Sequence, residues 1–195
     1  MSWFHSSIAP VDARNHASPA EIIACFQDQR NVLGRLAFLI TSDYEAAEHA
    51  VVQACEITLH GNSPFRDWLF EWAKAATLSS AISRVTEAIR LCEAAHKDQR
   101  CLHVEHLSQG NAEERAASLD LILGADAQIL LTELDPMCRA VLVLRVAIRS
   151  SIQDCALRLN VSRVAVLGAN CGAMTWLQMR QVKPVEENHG VSQAV

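Results

Sequence analysis

The sequence is poor in glycine and contains none of the short motifs that identify the common enzyme classes. Seven glycines occur among 195 residues, and none of them begins a phosphate-binding loop or a GxSxG nucleophile turn. The HExxH pattern of zinc hydrolases is also missing. We therefore expect a protein without enzymatic activity and without a cofactor.

Long apolar runs and an excess of positive charge are lacking as well. No stretch approaches the roughly 20 apolar residues that a membrane-spanning helix needs. A signal peptide has a basic segment followed by an apolar one, and the N-terminus of this sequence has no such pair of segments. The formal net charge is −5, so no overall positive field attracts nucleic acid. These features predict a cytoplasmic protein that does not bind membranes.

The chain has seven cysteines but no CxxC pair. Their odd number and wide spacing, in a chain expected to stay in the cytoplasm, predict free thiols rather than disulfides. A group of potential zinc ligands is clustered in sequence and consists of Cys92, His96, Cys101, His103 and His106. Cys92 and His96 share a helix face, but the spacing matches no standard zinc motif. We therefore predict no metal site, and we expect these side chains to be solvated or packed.

The segment 130–181 has the local signals of three consecutive helices. Asp135 is an N-cap followed by a first-turn proline, and Ser151 with Asp154 has capping-box spacing. Asn160 can adopt the left-handed conformation that ends a helix, and Ser162 can cap the next one. A short helix, a tight turn and a further helix predict a helix-turn-helix. An ordinary helical hairpin in a bundle is the alternative, and spacing alone does not separate the two.

The same segment carries a longer pattern, formed by Leu134–Pro136, Arg139, Leu142–Arg145, Ser151, Asp154, Ala156, Leu159, Val161, Ser162, Val166, Ala173 and Leu177. This pattern resembles region 4 of extracytoplasmic-function sigma factors, which are small bacterial transcription initiation factors. In that family the helix that corresponds to the one after Ser162 lies in the major groove of the promoter. The resemblance implies promoter DNA as a partner, contacted through Ser151, Gln153, Ser162, Arg163, Val166 and Asn170.

Apolar residues at helical spacing predict three more helices in the N-terminal half. These helices cover 18–39, about 44–60 and about 65–95. Two stretches, LGRLAFLITSDYEAAEHAVVQA (33–54) and FRDWLFEWA (65–73), resemble region 2 of the same sigma family. There the first stretch leads into a helix that docks on the polymerase core, and the second precedes a helix that contacts the promoter. The resemblance implies core RNA polymerase as a partner, contacted by Glu48, His49, Val52 and Gln53, and further DNA contacts by Lys74 and Arg84.

The sequence departs from the family at positions that usually carry DNA-binding cations. Aligned on Val161 and Ser162, these positions hold Leu167, Ala169, Gly172, Met174 and Gln178. Because phosphate neutralisation supplies most non-specific DNA affinity, we expect weak DNA binding. Several apolar side chains of this helix would form a patch for a protein partner if they were exposed, namely Leu167, Ala169, Met174 and Trp176.

Two tryptophans of the N-terminal half lie four positions apart on one helix face. Trp68 and Trp72 are large enough to anchor a core, and they could also stack on bases. We expect core packing, because tryptophan is highly buried on average.

The expected architecture is all-α and has two small helical domains. They cover 18–96 and 119–182, joined by a linker over 97–118 and followed by a disordered tail over 183–195. The expected function is transcription initiation through binding of core polymerase and promoter DNA. The alternative is a sigma-derived protein-interaction module with little DNA binding, acting as a decoy or as the partner of a regulator such as an anti-sigma factor.

Overall fold

The computed structural model describes residues 15–97 and 131–181, which are helical almost throughout. The all-α prediction is confirmed over these ranges, where the only β-pairing is an isolated bridge between His16 and Phe65. The helices are α1 (Pro19–Asp28), α2 (Arg30–Thr41), α3 (Tyr44–His60), a short 3-10 helix (Arg66–Trp68), α4 (Leu69–Lys97), α5 (Pro136–Ala147), α6 (Ile152–Leu159) and α7 (Arg163–Gln181). Within the described ranges, we find no helix that is both long and apolar enough to cross a bilayer.

The first predicted helix is interrupted near its middle. The backbone of Gln29 leaves the α-helical region, with φ −98° and ψ 10°, and α2 begins at the next residue. The break allows Phe26 of α1 and Leu33 of α2 both to be buried. Long-range packing therefore overrides the continuous helical pattern that the sequence presents.

Helix α4 is the longest element of the described ranges and connects the two halves of the chain. It has 29 residues and contacts α2, α3, α5 and α7. Helix α2 also contacts α5, so apolar residues from both halves share one core. The division into two domains stays a prediction, because most of the proposed linker, at 98–118, and the tail over 183–195 lie outside the described residues.

The three helices after residue 135 have the caps that the sequence predicts. Asp135 Oδ1 accepts two N–H groups from the first turn of α5, at 2.9 and 3.0 Å. Ser151 and Asp154 form a reciprocal capping box at the start of α6. Asn160 ends α6 in the left-handed conformation, with φ 52° and ψ 48°. These caps produce a helix–turn–helix arrangement of α6 and α7.

The prediction that all cysteines are free is wrong at Cys171. This residue is disulfide-bonded, and its partner lies outside the described residues. The free cysteines of the described ranges are Cys25, Cys55, Cys92, Cys138 and Cys155. The number and spacing of cysteines could not reveal this bond, because a disulfide depends on which residues the fold brings together.

Thiol titration of denatured, unreduced protein is expected to find two fewer thiols than titration after reduction, because one disulfide removes two thiols. The matched control is Cys171→Ser, which releases the partner cysteine and should give the same count before and after reduction. Equal counts in the wild-type protein would contradict the bond and restore the expectation drawn from the sequence.

Candidate functional site

The four residues that the resemblance assigns to polymerase contact lie together on the outer side of α3. Glu48 and His49 are exposed, Val52 is 54% exposed and Gln53 is half-buried. All four line one open depression of about 560 Å³. The structure thus brings this predicted set into a single accessible surface.

The same depression carries an excess of negative charge. Arg84, which the resemblance assigns to DNA, lines it and donates from Nη2 to Gln53 Oε1 at 3.4 Å. Glu45, Glu48 and Glu56 also line it, so carboxylates outnumber the guanidinium group. Arg30 forms an ion pair with Glu48, so the excess of negative charge is small, and the depression is not the basic surface that DNA phosphates would favour.

An apolar groove formed by α1, α2 and α3 adjoins the depression and has a volume of about 550 Å³. The rings of Phe38 and Tyr44 stack there with centroids 4.3 Å apart, and Tyr44 is 75% exposed. Glu48 and Val52 line both the groove and the depression, so the two are continuous. We call this region the α3 surface and define it by Phe38, Tyr44, Glu45, Glu48, His49, Val52, Gln53, Glu56 and Arg84.

The residues expected to read bases through α7 are mostly inaccessible. Val166 is fully buried and Asn170 is 2% exposed, whereas Arg163 is exposed and Ser162 is half-buried. Val166 and Asn170 are one helical turn apart, so they share the face of α7 that packs into the core. A base edge cannot reach either side chain in this arrangement.

Glu93 of α4 holds the N-terminal end of α7. Its Oε1 accepts the backbone N–H of Ser162 at 2.9 Å and lies 3.2 Å from Lys97 Nζ. The Ser162 N–H group, followed by the Lys97 ammonium, holds the pKa of Glu93 below its usual value. A carboxylate therefore occupies the helix end at which a DNA phosphate would otherwise find hydrogen-bond donors.

Ser151 and Gln153, which the resemblance assigns to DNA contact at the start of α6, are both exposed, but Ser151 is hydrogen-bonded within the helix start. The Ser151 hydroxyl donates to Asp154 Oδ2 at 2.7 Å and accepts the Asp154 N–H at 3.0 Å. Ser151 is thus committed to capping α6, and Gln153 is the more accessible side chain of the pair.

Lys74 does not face an open DNA-binding surface. It is 5% exposed, its Nζ lies 2.7 Å from Glu71 Oε1, and it sits 4.9 Å from the centroid of the Phe70 ring. The ion pair and the aromatic ring satisfy this ammonium inside the protein. In this conformation Lys74 is therefore not available to a phosphate.

The expected core packing of Trp68 and Trp72 is wrong. These side chains are 70% and 49% exposed, and Phe65 contacts Trp68 edge-on with centroids 6.3 Å apart. An exposed acidic residue directly precedes each tryptophan, Asp67 before Trp68 and Glu71 before Trp72. Helical spacing placed the tryptophans on one face, but it could not tell which face the neighbouring helices would cover.

The apolar residues of α7 that would form a patch if they were exposed are buried or half-buried. Ala169 is completely buried, while Leu167, Met174 and Trp176 are half-buried. Trp176 packs against the core that both halves of the chain share. Much of this helix therefore lies inside the protein.

A cluster of potential metal ligands joins α4 to the start of α5. His96 Nε2 lies 3.3 Å from Asp135 Oδ1 and 3.7 Å from Cys138 Sγ, and the three donor atoms lie within 4.8 Å of one another. The sequence singled out Cys92 and His96, but the partners considered for them, at 101–106, lie outside the described residues. The sequence marks Asp135 and Cys138 only as residues at the start of a helix, and nothing in their spacing indicates metal ligands.

The electrostatics of this cluster do not fit a nucleophilic cysteine. Burial, followed by the hydrogen bond and charge of Asp135, raises the pKa of the Cys138 thiol far above its ordinary value. Burial also raises the pKa of Asp135, but hydrogen bonds from Cys138 and the neighbouring His96 outweigh it, so this pKa is lowered overall. A Cys–His–Asp hydrolase uses opposite ring nitrogens for its two partners, whereas here His96 Nε2 faces both.

The comparisons with known proteins give no match for this chain. No protein-family model matches it, no curated protein is significantly similar in sequence, and no solved structure is significantly similar.

Proposed function

We propose that this protein is a binding protein of sigma-factor-like organisation. It engages a protein partner through the α3 surface and reads little or no duplex DNA through α7. The observation that carries the proposal is a contrast in accessibility. The residues assigned to polymerase contact are exposed together on α3, whereas Val166 and Asn170, assigned to base readout, are buried.

The chemistry of the α3 surface fits a protein partner better than a nucleic acid. Its apolar groove presents Tyr44 and Val52 to solvent, and exposed aromatic and aliphatic side chains of this kind form the centres of protein interfaces. Arg30 and Arg35 line the groove together with Glu48 and Glu56, so charges of both signs can add selectivity for a partner with complementary groups. Core RNA polymerase is the partner to test first, since the resemblance assigns these residues to it. An anti-sigma regulator is the next.

Introducing a charge into the apolar part of this surface is expected to weaken the interaction. Val52→Glu would place a carboxylate in a region that becomes dry on binding, where an unpaired charge is strongly unfavourable. We expect affinity for purified core RNA polymerase to fall at least about tenfold, which corresponds to about 1.4 kcal/mol. The measurement is a binding titration of the full chain against core polymerase by biolayer interferometry.

Val164→Glu is a matched control, since Val164 is 56% exposed on α7 and Val52 is 54% exposed on α3. Its affinity should stay within about twofold of wild type, since exposed substitutions away from an interface change energies by about 0.5 kcal/mol or less. Equal losses in both variants would remove the α3 surface from the interaction. Failure of the wild-type protein to bind core polymerase would overturn polymerase as the partner.

Transcription initiation at a promoter is the second candidate function. The exposure of Trp68 and Trp72 favours it, because exposed aromatic rings can stack on the bases of melted DNA. The acidic residues that neighbour them, Asp67 and Glu71, oppose it by repelling phosphates. Promoter-dependent RNA synthesis by core polymerase plus this protein would establish initiation. Polymerase binding without such synthesis would leave the binding function alone.

A further inference from the structure

Three donor atoms of different chemical types converge at the seam between the two halves of the chain. They are the imidazole Nε2 of His96, a carboxylate oxygen of Asp135 and the thiol sulfur of Cys138. His96 is 9% exposed and Cys138 is 3% exposed. The Asp135 side chain is 37% exposed, so the cluster between α4 and α5 is buried on its nitrogen and sulfur side and open to solvent on its oxygen side. Nitrogen, oxygen and sulfur are the donors that zinc accepts in proteins.

Two of the three separations match those of ligands around one tetrahedral ion. With bonds of about 2.0–2.1 Å to nitrogen, 2.0–2.2 Å to oxygen and 2.3 Å to sulfur, tetrahedral angles place the nitrogen about 3.3 Å from the oxygen and about 3.6 Å from the sulfur. The observed distances from His96 Nε2 are 3.3 Å to Asp135 Oδ1 and 3.7 Å to Cys138 Sγ. Both contacts use one ring nitrogen, as binding to a single shared ion requires.

Cys92 is the candidate for a fourth ligand. It lies one helical turn before His96 on α4, so the two side chains share a face. Its thiol is not one of the three donors that lie within 4.8 Å of one another, so it would reach the ion only after the Cys92 side chain turns toward the cluster. With Cys92 turned inward, two ligands from one turn of α4 and two from the first turn of α5 would make a set of four, which is typical of structural zinc sites.

The surrounding groups support such a site. Two backbone N–H groups already hold Asp135 Oδ1, as outer-shell donors commonly hold metal-binding carboxylates. On binding zinc, the Cys138 thiol would lose the proton that it donates to the Ala169 carbonyl. With both cysteines as thiolates, the ligands carry three negative charges and zinc supplies two positive charges. The guanidinium of Arg139, which interacts electrostatically with Asp135 and Cys92, balances the remaining charge.

We propose that Cys92, His96, Asp135 and Cys138 bind one zinc ion that fastens α4 to α5. The ion would cross-link the N-terminal helices to the helix–turn–helix segment. Because the caps of α5 and the Glu93 contact to α7 lie at the same seam, zinc would stabilise the arrangement that buries the inner face of α7.

The test uses the full-length protein, stripped of metal by a chelator and kept in a phosphine reductant, with Co²⁺ and Zn²⁺ alone as probes. We expect one equivalent of Co²⁺ to give the thiolate charge-transfer band and the strong visible bands of a tetrahedral site. Zinc should displace the cobalt and abolish these bands. At free zinc about a hundred times its Kd, the melting temperature should rise by roughly 5 to 10 °C.

Cys92→Ser and Cys138→Ser are expected to weaken cobalt binding by on the order of 100-fold, since even outer-shell changes cost 10- to 100-fold. The matched controls are Cys55→Ser, half-buried like Cys92, and Cys155→Ser, buried like Cys138. Both controls should keep the wild-type spectrum. If Cys138→Ser fails to fold by circular dichroism, His96→Gln replaces it in the comparison.

Two results would overturn the site. One is a wild-type protein that gives no tetrahedral cobalt spectrum. The other is a spectrum that persists at wild-type affinity in Cys92→Ser and His96→Gln, which would place the metal on cysteines and histidines elsewhere in the chain.

Discussion

Replacing Ala169 with arginine is expected to unfold the protein or to lower its melting temperature by about 10 °C or more. Ala169 is completely buried, and its carbonyl accepts a hydrogen bond from Cys138 Sγ of α5 at 3.3 Å. An arginine there would bury an unpaired charge, which costs about 3–5 kcal/mol, and would overpack the core by about 1–3 kcal/mol more. Each kcal/mol corresponds to about 2–4 °C in a protein of this size. Thermal unfolding followed by circular dichroism measures the effect.

The control for this change is Val164→Arg on the same helix, where the side chain is 56% exposed. Its unfolding free energy should stay within about 0.5 kcal/mol of wild type. An Ala169→Arg variant that melts like wild type would show that this face of α7 is open to solvent. The helix would then again be a candidate for reading DNA.

Truncation of Arg139 is expected to cost about 3 kcal/mol or more of unfolding free energy. Its side chain is 5% exposed, and Nη1 donates to the Leu134 carbonyl at 3.1 Å and to the Thr132 carbonyl at 3.4 Å. Arg139→Ala removes hydrogen bonds from a charged donor, worth about 1.5–3 kcal/mol, together with the packing of the apolar stem. Urea denaturation should therefore show a lower midpoint with an unchanged m-value.

Arg158→Ala is the corresponding control, because Arg158 is exposed on α6. We expect it to change the unfolding free energy by about 0.5 kcal/mol or less. Equal midpoints for the two alanine variants would contradict the structural role given to Arg139. The arginine of the sigma-like pattern would then have to serve a surface contact.

The features that the sequence predicted correctly depend on neighbouring residues only. Ser151 with Asp154, and Asn160 at the end of α6, are local signals whose geometry follows from residues three or four positions apart. The span of α3 is likewise set by Asp43 at its start and the glycine turn after His60. Local hydrogen bonding suffices to define such boundaries, so they can be predicted without knowledge of the fold.

The features that the sequence did not predict depend on distant contacts. Val166 and Asn170 are buried, and Trp68 and Trp72 are exposed, because the way the two halves of the chain pack decides which helix face is covered. The cluster of His96 with Asp135 and Cys138 joins positions about forty residues apart. No spacing rule for metal ligands covers such a separation, since its parts come from two helices rather than one motif.

The most direct measurement of the central claim is the affinity of the full-length protein for duplex DNA at two salt concentrations, followed by fluorescence anisotropy. Each phosphate contact contributes about 0.9 to the slope of log affinity against log salt. With Val166 and Asn170 buried and the end of α7 held by Glu93, we predict weak binding without sequence preference and a slope no steeper than about two. A slope of about five or more, together with discrimination between duplex sequences, would contradict the account, because it would require α7 to lie open in the major groove.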